Sequence, residues 1–160
     1  MGAVLGFLLR CFVILAGYAA ASLAASAFLH VVFFAWAGFE PKDAPMLTAG
    51  SFIFSIPFIA LFVAYFAFVP SVGVILVAEV LSRRDWLFYA LGGAVVAAVF
   101  LAFLHRAADP DFEVAGSGPM LAVVGGGIVG GFFYWLAAGQ WAGGWHGRRR
   151  EPPAPGSPRP

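Results

Sequence analysis

The chain has 160 residues, 62% of them hydrophobic and 11% charged, with a formal net charge of +1, where an ordinary soluble domain carries about 25% charged residues. A chain of this size cannot bury so much apolar surface by itself, so a water-soluble globular domain is excluded and lipid has to cover the remainder. The basic residues are scattered rather than gathered on one segment, which gives no nucleic-acid surface, and the single cysteine, Cys11, rules out an internal disulfide.

A membrane-spanning helix needs about 20 predominantly apolar residues. The first stretch that qualifies runs from Cys11 to Ala37. Its portion CFVILAGYAAASLAASA has the make-up of a signal-peptide core, with Ala25-Ser26-Ala27 as a cleavage motif. Apolar character continues through FLHVVFFAWAGF, however, and cleavage there strands that segment in water. The segment is therefore expected to stay as an anchor.

The second span is expected from Leu47 to Val69. Apolar residues continue to Leu81, and one helix from Met46 to Leu81 is about 54 Å long, far more than a hydrocarbon core of about 30 Å. Pro57 and Pro70 are natural break points, since proline removes a helix hydrogen bond. The expectation is a span followed by an interfacial helix over 71–82, with a single tilted, kinked helix as the alternative. The Phe54, Phe58, Phe62 and Phe66 side chains recur every fourth residue and form a bulky ridge suited to a groove on a neighbour.

A third span is expected over 86–104 and a fourth over 119–140, where Ser117 or Gly118 caps the helix and Pro119 occupies its first turn. The connections GFEPKDAPM, SRRD and HRAADPDFEVAGSG carry charge, proline and glycine. The tail 148–160, RRREPPAPGSPRP, is basic and Pro-rich and is expected to be disordered, which leaves 1–147 as the four-span domain. The expected fold class is all-α, an integral membrane bundle of four transmembrane helices with short loops.

Orientation follows from the basic residues, which favour the cytoplasmic side. With both termini inside, Arg10, Arg83, Arg84, Arg148, Arg149, Arg150 and Arg159 lie inside, and Lys42 and Arg106 outside. Eight arginines against one lysine, with much Ala, Gly and Pro, fit a GC-rich bacterial genome and an inner-membrane location.

Within the fourth span, MLAVVGGGIVGG contains Gly125-x-Gly127-x-x-Gly130, the spacing of a dinucleotide-binding turn. That fold needs a second strand ending in an acidic residue about 20 positions on. Glu151 stands at that distance but in RRREPP, which is no buried strand. The glycines suit helix packing better. Gly126 and Gly130, and Gly127 and Gly131, are Gly-xxx-Gly pairs on adjacent strips of one face, and such small residues let membrane helices approach closely. Gly17 and Ala21 in the first span and Gly93 in the third supply matching small surfaces.

Three polar residues remain as functional candidates. His30 is the ionisable group deep in a span, and its commoner role is a neutral imidazole bonded to a serine or a carbonyl. Haem ligation needs a second histidine at equal depth, and neither His105 nor His146 is so placed. Glu79 and Arg83 are four apart in the favourable order for a helical ion pair at the headgroups. A proton-coupling carboxylate is the sharper reading of Glu79 and requires it to be drawn into the core. DPDFE lacks the glycine and final ligand of a calcium loop, and no nucleophile, base and acid fall at a common depth. No cofactor or metal site is expected.

The closing FFYWLAAGQWAG resembles the end of the last span in small uncharacterised bacterial inner-membrane proteins, which finish Tyr-Trp-Leu-x-Ala-Gly-x-x-Ala-Gly. Tyr134, Trp135, Leu136, Ala138, Gly139, Ala142 and Gly143 carry the match. The resemblance implies a bacterial inner-membrane setting and transfers no activity. The expected role is a non-catalytic structural or accessory subunit of a membrane complex, with the bilayer and other membrane subunits or further copies of the chain as partners. The alternative is a small oligomeric transporter or channel component, and a membrane enzyme or cofactor carrier stands third.

Overall fold

The structure, a computed structural model, describes residues 2–38, 45–107 and 117–142. The DPDFE segment, Lys42, Gly143, His146 and the tail 148–160 lie outside the described residues. Four helices form the bundle: α1 (Gly2–Trp36), α2 (Pro45–Val80), α3 (Trp86–Ala107) and α4 (Ser117–Ala137), followed by a short 3-10 helix, Gly139–Trp141. No strand occurs among the described residues, and all four helices are long and apolar enough to cross a membrane.

The first two helices are longer than their apolar runs suggest. α1 begins well before Cys11, so Arg10 lies inside the helix rather than ahead of it. α2 runs without interruption through Pro57 and Pro70, so of the segment 71–82, expected as a separate interfacial helix, residues 71–80 supply the last turns of α2 and 81–82 form the turn after it; the single-helix alternative is the one observed. Each proline removes one backbone hydrogen bond. A full break strands several N–H and C=O groups where no water can satisfy them, which costs more.

The turn between α2 and α3 is closed by backbone chemistry. Ser82 takes a left-handed conformation (φ 50°). The Arg83 N–H donates to Ala78 O at 3.0 Å and the Ser82 N–H to Glu79 O at 3.2 Å, the paired bonds of a Schellman ending with serine where glycine is usual. The Asp85 side chain accepts the Leu87 N–H at 3.2 Å and so caps the start of α3.

Each helix packs against its neighbours in sequence, and α4 closes the ring on α1. All neighbours are antiparallel, as the pairs Arg10 with Glu79, Gly93 with Gly127 and Trp36 with Gly118 require. The start of α1 and the end of α4 therefore share one end of the bundle, called here the terminal end. The buried positions are mostly small, among them Ser22, Ala25, Ser26, Ala60, Ala78, Ala97 and Ala138, while Phe7, Phe12, Phe33, Leu61 and Leu121 are exposed. Small residues inside and large apolar ones outside is the arrangement lipid permits, because close backbone packing rather than apolar burial holds the helices together.

The glycine face of α4 divides between two neighbours. A Cβ on Gly127 falls 2.3 Å from Gly93 O, and one on Gly131 falls 2.0 Å from Tyr89 O, so this strip meets the bare backbone of α3. Gly126 and Gly130 face α1 instead, at Leu29, Ala25 and Ala21. A Cβ on Gly17 of α1 meets Ala138 Cβ at 2.7 Å. The phenylalanine ridge of α2 takes no part in this packing. Phe54 is 80% exposed, and Phe62 and Phe66 border a cavity instead.

Candidate functional site

Because α1, α3 and α4 are drawn together by small residues while α2 approaches with Ile59, Phe62, Phe66 and Val74, a space remains between them. Its volume is about 410 Å³, within the usual range for a small-molecule site. All four helices line it. The wall is apolar apart from hydroxyl groups on Tyr18, Ser22, Ser71, Tyr89 and Tyr134.

Most of these hydroxyls serve the fold. The Tyr18 OH donates to Ala64 O at 2.5 Å, bridging α1 to α2, and the Ser22 OH donates to Tyr18 O at 3.0 Å. The Tyr89 OH donates to Arg83 O at 3.2 Å, with Gly139 O at 3.5 Å, which ties the turn after α2 to the end of α4. Tyr134 differs. It is buried, packs its ring on Tyr89 with centroids 5.5 Å apart, and its hydroxyl has no hydrogen-bond partner.

Beside this tyrosine pair lies an ion pair. Arg10 of α1 donates to the Glu79 carboxylate of α2, and the same guanidinium reaches Ala138 O at 3.4 Å. The side chains are 20% and 14% exposed respectively, so the pair is largely withdrawn from solvent. This changes the reading of Glu79. Arg83 was expected to be its helical partner, but Arg83 lies beyond the end of α2, past the left-handed Ser82, where the i to i+4 geometry no longer holds. The carboxylate instead links two helices.

Arg10 is the residue that reasoning from the sequence passed over, counted there only as a positive charge. A signal was present: Arg10 and Glu79 are opposite charges within otherwise apolar helices near the same end of the bundle, and such residues pair. The tyrosines carried no spacing pattern that marks them, since each comes from a different part of the chain.

His30, the other candidate, lies elsewhere. It is buried between α1 and α2, with Nδ1 2.9 Å from Ser26 O and its ring centroid 6.0 Å from that of Phe52. Facing a carbonyl, which can only accept, Nδ1 is the donor of this bond. His30 does not border the cavity, and no group of three or more His, Cys, Asp or Glu residues gathers as metal ligands among the described residues. No family model matches the sequence, and neither the curated proteins nor the solved structures contain a match to it.

Proposed function

We propose that the chain is a non-catalytic, multi-pass membrane component that serves as a structural or accessory subunit of a larger membrane assembly. One observation carries this reading: the two charges withdrawn from solvent within the helices, Arg10 and Glu79, are spent on joining helices to one another. Arg10 and Glu79 bind α1 to α2, with Arg10 reaching on to the end of α4. Groups engaged in this way hold a scaffold rather than move a proton or attack a substrate.

The setting belongs to the same proposal. Seven basic residues against two support both termini in the cytoplasm, and eight arginines against one lysine fit a bacterial inner membrane. The cavity favours a second reading, a small oligomeric transporter or channel component. Its apolar wall suits a lipophilic cargo and not an ion. Purification from native membranes in mild detergent, followed by mass determination of the intact particle, separates the two. A particle containing other subunits supports the accessory role. A pure homo-oligomer overturns it in favour of the transporter.

A further inference from the structure

The turn between α2 and α3 is held more firmly than an exposed connection needs to be. Residues 81–85 are all exposed, yet three side-chain hydrogen bonds fix their backbone and one guanidinium. The Tyr89 hydroxyl donates to Arg83 O at 3.2 Å, Trp135 Nε1 to Arg84 O at 2.7 Å, and Arg84 Nε to Ala142 O at 3.0 Å. Ser82, one residue earlier, stands at φ 50°, where glycine fits freely and a side chain is sterically disfavoured. A strained residue of this kind points to a use for its side chain. The Ser82 hydroxyl, the Arg83 guanidinium and the Arg84 Nη groups have no hydrogen-bond partner among the described residues. Two cations and a hydroxyl are thus presented together on a clamped backbone.

We propose that Ser82, Arg83 and Arg84 bind the phosphodiester of an anionic membrane glycerophospholipid, whose acyl chains lie along the neighbouring strip of Trp86, Phe132 and Trp135. Three observations select this ligand. First, all the unused groups can donate, and guanidinium matches phosphate oxygens in shape as well as charge. Second, the charge fits. Arg83 and Arg84 with Asp85 leave a net +1 on the turn, and the Asp85 carboxylate is engaged by the Leu87 N–H. That complements a phosphodiester monoanion, whereas a zwitterionic headgroup brings a cation that the arginines repel.

Third, the arginines continue directly into an apolar surface. Trp86 is the first residue of α3, and Trp135 lies in the last turn of α4. The Phe132 ring stands between them, its centroid 6.4 Å from that of Trp86 and 5.8 Å from that of Trp135. Trp86 and Phe132 are exposed on the outside of the bundle, where lipid lies. Tryptophans concentrate where hydrocarbon meets headgroups, so the turn just beyond them stands at the level of the phosphates. A ligand that meets both the arginines and the strip is an amphiphile, which favours a lipid over an acidic peptide or free phosphate. Because the clamped turn is already ordered, little freedom is lost on binding. This inference needs the helices to span a membrane, and holds for either orientation and for a subunit or a transporter.

The test incubates the full-length protein in mild detergent with phosphatidylglycerol or phosphatidylcholine, removes free lipid, and counts bound lipid by native mass spectrometry. The wild type is expected to hold one phosphatidylglycerol per chain and to bind phosphatidylcholine about tenfold more weakly or worse. Arg83→Gln is expected to weaken phosphatidylglycerol about ten- to a hundredfold, the range of a hydrogen bond between charged groups. Arg106→Gln makes the same charge change at the other end of α3 and is expected to leave binding unaltered. Ser82→Gly relieves the strained φ and removes the hydroxyl. It is expected to keep or raise thermal stability yet weaken the lipid about two- to tenfold, a split that a purely structural serine does not produce. Millimolar inorganic phosphate, which lacks the chains, is expected to leave the lipid bound. The proposal is overturned if the two lipids bind equally, if Arg83→Gln and Arg106→Gln behave alike, if Ser82→Gly binds as the wild type does, or if inorganic phosphate displaces the lipid.

Discussion

Replacing Gly131 by alanine adds one methyl group at the tightest point of the bundle. The new Cβ falls 2.0 Å from Tyr89 O, 2.8 Å from Tyr89 C and 3.2 Å from Ala90 Cα, where ordinary contact begins at 3.4 Å. All three atoms belong to the α3 backbone, so no side chain can rotate away, and the helices have to separate by about 1.4 Å, the gap between 2.0 and 3.4 Å. Forced separation of this kind costs about 1–3 kcal/mol, which exceeds the gain of up to about 1 kcal/mol from a better helix former. Gly130→Ala meets Ala21 O at 3.1 Å and needs only about 0.3 Å of relief, from 3.1 to 3.4 Å. Gly73→Ala meets nothing within 4 Å and is the control. Thermal unfolding in detergent, followed by the loss of monodisperse protein, should rank Gly73→Ala at or above wild type, Gly130→Ala below Gly73→Ala, and Gly131→Ala below wild type by about 3–10 °C. If Gly131→Ala unfolds with Gly73→Ala, the close α3–α4 contact does not exist and the packing argument fails.

Glu79→Gln leaves the Arg10 charge largely buried without its counter-ion, and should lower stability by on the order of 3 kcal/mol, while the double change Arg10→Met with Glu79→Leu should recover most of it; a single variant as stable as wild type in the same assay contradicts the interhelical pair. Ser26 is fully buried and its hydroxyl donates to Ile56 O at 2.8 Å, so Ser26→Ala should cost only about 0.6 kcal/mol, the typical value for a hydrogen bond between membrane helices. A loss several times larger shows that the serine does more than join α1 to α2. Tyr89→Phe should destabilise by about 1 kcal/mol by freeing the Arg83 carbonyl at the turn, and an unchanged unfolding temperature removes the hydroxyl from that role.

The spans were legible because apolar length is a one-dimensional property, read directly from the chain. Two Gly-xxx-Gly pairs in the fourth span were legible for the same reason. What the spacing does not carry is which pair packs more tightly, since both strips have the same sequence pattern. The facing residue decides it: Gly93 offers no Cβ and lets Gly127 touch backbone, whereas Ala21 and Ala25 hold Gly130 slightly away. The sequence left α2 open between a span with an interfacial helix and one continuous helix; it is continuous, since a break at either proline strands several backbone groups that lipid cannot satisfy. The Arg10–Glu79 link was missed because the two residues are 69 positions apart, and a sequence window sees Glu79 beside Arg83 instead. The cavity and its unpartnered Tyr134 hydroxyl arise from the mismatch between a bulky α2 and three small-faced helices. That is a property of four segments together and of none alone.

The most direct test of the account is the topology of the chain in the membrane. A reporter active only outside the cytoplasm is fused after Arg150 in one version and placed at Asp111 in another. Four antiparallel spans with both termini in the cytoplasm predict a silent reporter at Arg150 and an active one at Asp111. Activity at both positions contradicts the four-span bundle, and the reversed pattern contradicts its orientation.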